Sequence, residues 1–522
     1  MLRTLALFPA LFCCLIACSS DDIVDPPTNG NPPVNPPGNP PENPSPGFSV
    51  LTFLNGSQST AFNQVRDVAV DATGNIYVTG GTSDPNFPTT PNAFQRSFGQ
   101  GQSSTSTGSQ GNWDVFVMKF SAGGQLLWST LLGGGNYDRA YALEVDASGV
   151  YVGGRAGSGF PTTAGVIQPG FAGDNVVSST YGKQDGFIAK LSLDGTSLVW
   201  ATYFGGPADE FLRDIVVGQN GDVHLAVSIA KASFPHITPA AYQANHRGSS
   251  DGAVCRLDAA ATIIRWCTYV GGSGHDGEAP SVRLDASGNV YYLQSLSSAD
   301  APVTSGAMQP HPGGDVDQHL SKFSPQGSLI FATYFGGSGR DGGETHNLWV
   351  TPGGESYLAA RTTSSNLPTT SGALRRTLSG NSDAFVARIS SDGGQLLAST
   401  YLGGSGNDEA QGLGFDGDGN VVVSGGTFSS DFPGLTDAPQ AVKAGSQDGF
   451  VALLPPGLGS VRATFIGGGS DDFARAVAFD AMRNTAYTGG VTGSTDFPTN
   501  AASFLRHHSG AEDAFLAGWR LR

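Results

Sequence analysis

Beyond residue 50 the chain is a succession of short apolar runs broken by turn-forming residues. One stretch shows the rhythm. Residues 412–416 form an apolar run, and an Asp-x-Asp-Gly-Asn turn leads into a second run at 420–425. A loop carrying Phe432 and Pro433 follows, then runs at 448–453 and 460–466. Short runs bounded by Gly, Asn and Asp predict four strands, the first two joined by a hairpin.

The same unit recurs along the chain. Thr130, Thr202, Thr268, Thr333, Thr400 and Thr464 each open a Thr-aromatic-x-Gly-Gly segment or a close variant, with a degenerate copy at Thr52. Phe-Pro stands at Phe87, Phe160, Phe234, Phe432 and Phe497, with Ala301-Pro302 and Leu367-Pro368 as variants. An Asp opens the third run of each unit: Asp114, Asp185, Asp251, Asp317, Asp383, Asp448 and Asp513. Four-strand units at a fixed period predict the blades of a propeller. One unit cannot cover both faces of its own sheet, so neighbours must stack and the ring must close. The expected fold is all-β: a seven-bladed β-propeller of four-stranded antiparallel blades.

These motifs resemble those of the SBBP β-propeller repeat family of exported bacterial proteins across most of residues 50–522. The resemblance implies architecture and brings no catalytic residues with it.

The repeat frame also predicts the closure. The last unit runs out after its third strand, near Trp519, while residues 50–54 supply a surplus strand. Pairing the two removes two open sheet edges. The expected blades are 63–130, 138–202, 210–268, 276–333, 341–400, 408–464, and 472–522 completed by 50–54.

Composition narrows the function classes. The chain has 522 residues, 75 Gly, 31 Pro and a formal net charge of −17. So acidic a body is repelled by phosphate backbones, which argues against nucleic acid as a partner. No phosphate-binding loop or helical zinc motif occurs.

Residues 1–17 read as an export signal: Arg3, an apolar run from Leu5 to Ile16, then Ala17 before Cys18. The order resembles a bacterial lipobox and implies acylation of Cys18, hence a membrane anchor. Ser19 after the cysteine resembles the outer-membrane default, and the Asp21-Asp22 pair resembles a surface-export tag. Residues 18–47, rich in paired prolines, predict a disordered, extended stalk. The propeller is then 48–522. The expected protein is an envelope lipoprotein, monomeric, acting as a binding module for a protein or glycan. The alternatives are a lyase or glycosidase at the channel mouth, or a scaffold of an envelope assembly.

Three sets of residues are candidates for chemistry. Asp138, Glu210, Asp276, Asp341, Asp408 and Asp472 each stand four residues past a Gly-Gly. They would ring the channel mouth and hold Ca²⁺, which prefers oxygen ligands, or each would bind the amides of its own turn. Second, Phe-Pro to Asp spans 27 residues in the first unit (Phe87 to Asp114) and 25 in the second (Phe160 to Asp185), against 16 or 17 elsewhere. The added residues, near 99–112 and 170–184 with Trp113 and Tyr181 beside them, predict a ligand rim on one face. Third, Cys255 and Cys267 lie on adjacent strands and would form a disulfide if in register. His275, Arg340 and His346 also depart from the repeat and show no convergence in sequence.

Overall fold

A computed structural model describes residues 47–99, 111–173, 181–230, 234–344 and 346–521. The leader, Cys18 and the proline-rich stretch lie outside the described residues, as do the tips of the two extended loops.

The described chain is all strand and turn, arranged as seven antiparallel sheets in a ring. Blade one is Asn63–Val70, Ile76–Thr82, Asp114–Phe120 and Leu126–Leu132. Blades two to six repeat this order. Blade seven takes Asp472–Asp480, Thr485–Thr492 and Asp513–Arg520, and Phe48–Leu54 completes it as the outermost strand. Phe53 stands opposite Phe515 and Leu54 opposite Ala514, so the expected closure is present and no sheet edge is left between the two ends.

The landmarks prove to be one interlocked device. The tyrosine of Thr-Tyr-x-Gly-Gly reads the Phe-Pro loop: Tyr203 Oη accepts from the Phe160 amide at 2.9 Å and donates to the Gly157 carbonyl at 2.9 Å. Tyr334 and Tyr401 repeat both bonds in their own blades. The preceding threonine accepts from the same loop, as Thr202 Oγ1 does from the Gln168 amide. The first glycine lies between two carboxylates: a Cβ on Gly133 would stand 2.5 Å from Asp114 Oδ1 and 3.0 Å from Asp138 Oδ2. Only a residue without a side chain fits there.

Blades are stapled outside the core as well. The indoles of Trp128, Trp200 and Trp266 donate to carbonyls of Leu193, Ala259 and Pro325 in the next blade. Apolar clusters run between neighbouring sheets, for example Tyr77, Val117, Trp128, Leu143 and Val152 across blades one and two. Burial of such inter-sheet surface is the main favourable term for the ring.

Candidate functional site

The first strand of each blade lines the channel, and each carries a bulge near its start. Pairing with the second strand slips between Val65 and Asp67, Ala140 and Ala142, Leu212 and Asp214, Ala410 and Gly412, and Ala474 and Ala476. The extra residue of a bulge leaves the ladder and its side chain is re-aimed. Those residues are Arg66, Tyr141, Arg213, Gln411 and Arg475. Blade five exaggerates the device. Its first strand is split into Asp341–Gly342 and Leu348–Val350. Pairing with the second strand there passes from Gly342, opposite Arg361, to Leu348, opposite Leu358, where blade one passes from Val65 to Asp67.

Arg139 and Arg155 of blade two join Arg66 and Arg213, giving four guanidiniums around one phenol, with Arg475 beside Arg66 as a fifth member of the cluster. Their carbons lie 5.6 Å (Arg66), 4.9 Å (Arg139), 5.1 Å (Arg155) and 4.7 Å (Arg213) from the Tyr141 ring centre. Arg139 and Arg155 both donate to Tyr141 Oη. Arg475 bonds Gln411 Oε1 at 3.1 Å, and Arg66 bonds Gln64 Oε1 at 3.1 Å. Arg155 also lies over Phe211 at 3.8 Å and over Tyr181 at 4.3 Å.

Glu344, Glu409 and Glu512 lie near Arg475 and Asp209 near Arg155, while positive charge dominates around Tyr141. Burial would raise the Tyr141 phenol, but Arg139, Arg155, Arg213 and Arg66 reverse this and bring it to about 7. Burial and mutual repulsion lower Arg66, and burial lowers Arg155 and Arg475. Among the described residues, Nε of Arg66, Arg139, Arg155, Arg213 and Arg475 and Nη1 of Arg155 are buried with no hydrogen-bond acceptor. Buried guanidinium donors without acceptors are costly unless an anion or water reaches them.

The blade-five insertion crosses the channel beneath this cluster. Glu344 approaches Arg213 at 3.7 Å. His346, in the left-handed region at φ 67°, meets the Tyr141 carbonyl at 2.9 Å. It lies 3.7 Å from Asp67 of blade one and 3.6 Å from Asp214 of blade three. Both aspartates hold amides of the following blade's first strand, Leu143 and Val282. Below this plug is a cavity of about 380 Å³ lined by Glu144, Arg283, Trp349, Phe415 and Phe479.

The six rim carboxylates do not face one another across the mouth. Asp138, Glu210, Asp276, Asp341, Asp408 and Asp472 are buried, and each accepts from the amide of the second glycine in its own turn, at 2.5–2.9 Å. Several also take a Ser or Thr hydroxyl from the second strand or the loop after it, as Asp408 does from Ser429 and Thr427. Their geometry is that of the turn, not of a cation ring. Burial raises Glu210 to about 8 and Asp472 to about 6. Among the described residues no three His, Cys, Asp or Glu side chains gather as metal ligands. Where the seventh carboxylate would stand, Asn63 takes its place and donates to Asp513 at 3.2 Å.

The flanks of the extended loops do reach the arginines. Trp113, Tyr137 and Tyr181 form a chain with ring centres 5.4 and 5.0 Å apart, beside Arg139 and Arg155. Cys255 and Cys267 are direct cross-strand partners, with Cα atoms 4.0 Å apart and their sulfurs joined. His275 bonds Ser250 and Arg340 pairs with Glu278 at the surface, so of the three unmatched residues only His346 enters the channel. Sequence reading overlooked the arginines. The signal lay three residues past the turn acid, where Tyr141, Arg213, Glu344, Gln411 and Arg475 occupy one repeat position, with Arg66 three past Asn63.

No known family model matches the chain, so its likeness to the SBBP repeats rests on the motifs alone. The regulatory protein FlaEY of Caulobacter vibrioides is 26% identical over 246 residues, 44% of this chain. The aligned region spans about a quarter, 24%, of FlaEY. Among solved structures, a protein of unknown function from Dyadobacter fermentans matches over 91% of this chain and all of its own, at 11% identity and a TM-score of 0.40. A polysaccharide lyase of the ulvan lyase family PL25 matches over 85% of this chain and 92% of its own, at 10% identity and a TM-score of 0.42.

Proposed function

We propose that this chain is a binding module that takes a compact anionic group at the arginine-lined mouth of its channel, held at the cell envelope by a lipid on Cys18. The observation that carries the reading is the convergence of Arg66, Arg139, Arg155, Arg213 and Arg475, with buried donors that meet no acceptor among the described residues. Charge sharpens it. The chain carries −17 overall, so a long polyanion lying on its surface is repelled. A discrete carboxylate, sulfate or phosphate on an otherwise neutral body enters the cluster without that penalty. The leader ending at Cys18 and the proline-rich stretch after it support the tether.

The enzyme alternative asks Tyr141 to meet a substrate. Its side chain is 0% exposed, behind Arg139 and Arg155, which favours binding over catalysis. The test is calorimetric titration of the full chain with glucuronate, sulfate and phosphate. The proposal expects at least one to bind, and Arg213→Gln or Arg475→Gln to weaken it about 10- to 100-fold, the worth of one charged hydrogen bond. Binding of none, or binding unaffected by both variants, refutes it.

A further inference from the structure

We propose that the anionic group this site recognises is a carboxylate, and that Glu344 occupies its place as an intramolecular surrogate until the ligand displaces it. The inference rests on the anion-binding reading above and deepens it.

Four observations support it. Glu344 stands at the repeat position that elsewhere supplies Arg66, Tyr141, Arg213 and Arg475, so it is the one acidic member of that ring. Its carboxylate reaches Arg213 across the channel at 3.7 Å, a loose approach rather than a bidentate fork. Its partial desolvation would raise this carboxyl, but Arg213, Arg66, Arg475 and Arg139 hold it at about 2, so it is ionised throughout the physiological range. Its side chain keeps 43% exposure, so the surrogate can leave toward solvent while the arginines stay fixed in their bulges.

The support beneath Glu344 makes exchange local. His346 is pinned between Asp67 and Asp214 and against the Tyr141 carbonyl. The Asn347 side chain donates to the Glu344 carbonyl. Backbone on one side of Glu344 is thereby anchored, and release requires rotation of one side chain rather than movement of a blade. A ligand carboxylate gains what Glu344 leaves unused: the buried Nε donors of Arg66, Arg139, Arg213 and Arg475. A flat, singly charged, two-oxygen group suits guanidinium forks better than a tetrahedral dianion.

Glu344→Gln keeps the shape and removes the competing charge; Glu344→Ala removes both. Each is titrated with glucuronate, sulfate and phosphate beside the unmodified chain, with thermal melting to confirm the fold. The expected result is glucuronate binding tightened about tenfold in both variants, the gain from deleting a bound intramolecular competitor, with glucuronate preferred over sulfate and phosphate. Two results overturn the inference while leaving the anion site standing: glucuronate affinity unchanged in both variants, or sulfate or phosphate preferred over glucuronate. Failure of every anion to bind the unmodified chain and both folded variants overturns the site itself.

Discussion

Raising the pH from about 6 to about 8 should ionise Tyr141, one of the 14 tyrosines in the chain. The others whose phenols are perturbed move the opposite way: burial and Asp71 raise Tyr77, and burial lifts Tyr137 to about 12. Bringing a phenol from its ordinary 10 to about 7 requires about 4 kcal/mol of preference for the phenolate. The structure supplies it through two direct donors, Arg139 and Arg155, and the nearby charges of Arg213 and Arg66. The folded phenol loses its proton more readily than the unfolded one. Its stability contribution is therefore complete above about pH 10 and is lost as pH falls through about 7. Phenolate absorbance in the near ultraviolet reads this directly. The intact protein should show one phenolate's worth of signal with a midpoint near 7, and Tyr141→Phe should abolish it. Tyr141→Phe should also destabilise the fold by about 3 kcal/mol, since buried guanidiniums lose an acceptor. If no phenolate forms below about pH 9, or the signal survives in Tyr141→Phe, the cluster does not carry the uncompensated positive charge ascribed to it.

Other consequences follow from the repeat. Tyr203→Phe leaves the Phe160 amide and the Gly157 carbonyl without partners, so it should cost about 2–4 kcal/mol and speed hydrogen exchange at the Phe160 amide. An equal exchange rate would remove the tyrosine from its role in holding the Phe-Pro loop. Burial pushes Asp251 up to about 7. The folded carboxyl keeps its proton to higher pH than the unfolded one, so its stabilising contribution is complete below about pH 4 and lost as pH rises through 7. Asp251→Asn should flatten that decline in a melting series from about pH 5 to 8, and an unchanged slope contradicts it. Non-reducing peptide mapping of the oxidised protein should recover Cys255 and Cys267 linked, and their reduction should cost about 2–3 kcal/mol for so short a loop. Two free thiols would refute the bridge.

The fold was legible because its determinants are local and repeated. Tyr203, the Phe160 loop and Gly205 contact one another within one blade and Gly206 bonds the turn acid that opens the next, so each recurs wherever a blade recurs. Even the closure was legible, since a strand missing from one end and spare at the other admits one pairing. The site was not legible, for a physical reason. Arg66, Tyr141, Arg213 and Arg475 differ from blade to blade and meet only because the ring brings one repeat position together. Reading them requires the register of the bulge, which a run of Arg, Tyr, Gln and Glu does not announce. The rim carboxylates were conspicuous through their regularity. That regularity is what a turn demands, and Asp138 and its sisters are spent on glycine amides. His346 looked isolated because its partners Asp67 and Asp214 come from blades one and three. Of the extended loops, the second brings Tyr181 beside Arg155 of the candidate site.

The most direct measurement is a crystal structure of the protein soaked with 4-bromobenzoate, a carboxylate whose bromine marks its position by anomalous scattering. The account predicts the carboxylate among Arg66, Arg139, Arg213 and Arg475, with Glu344 swung toward solvent and the bromine outside the cluster. Bromine peaks confined to the outer faces of the blades, with Glu344 still against Arg213, would contradict it.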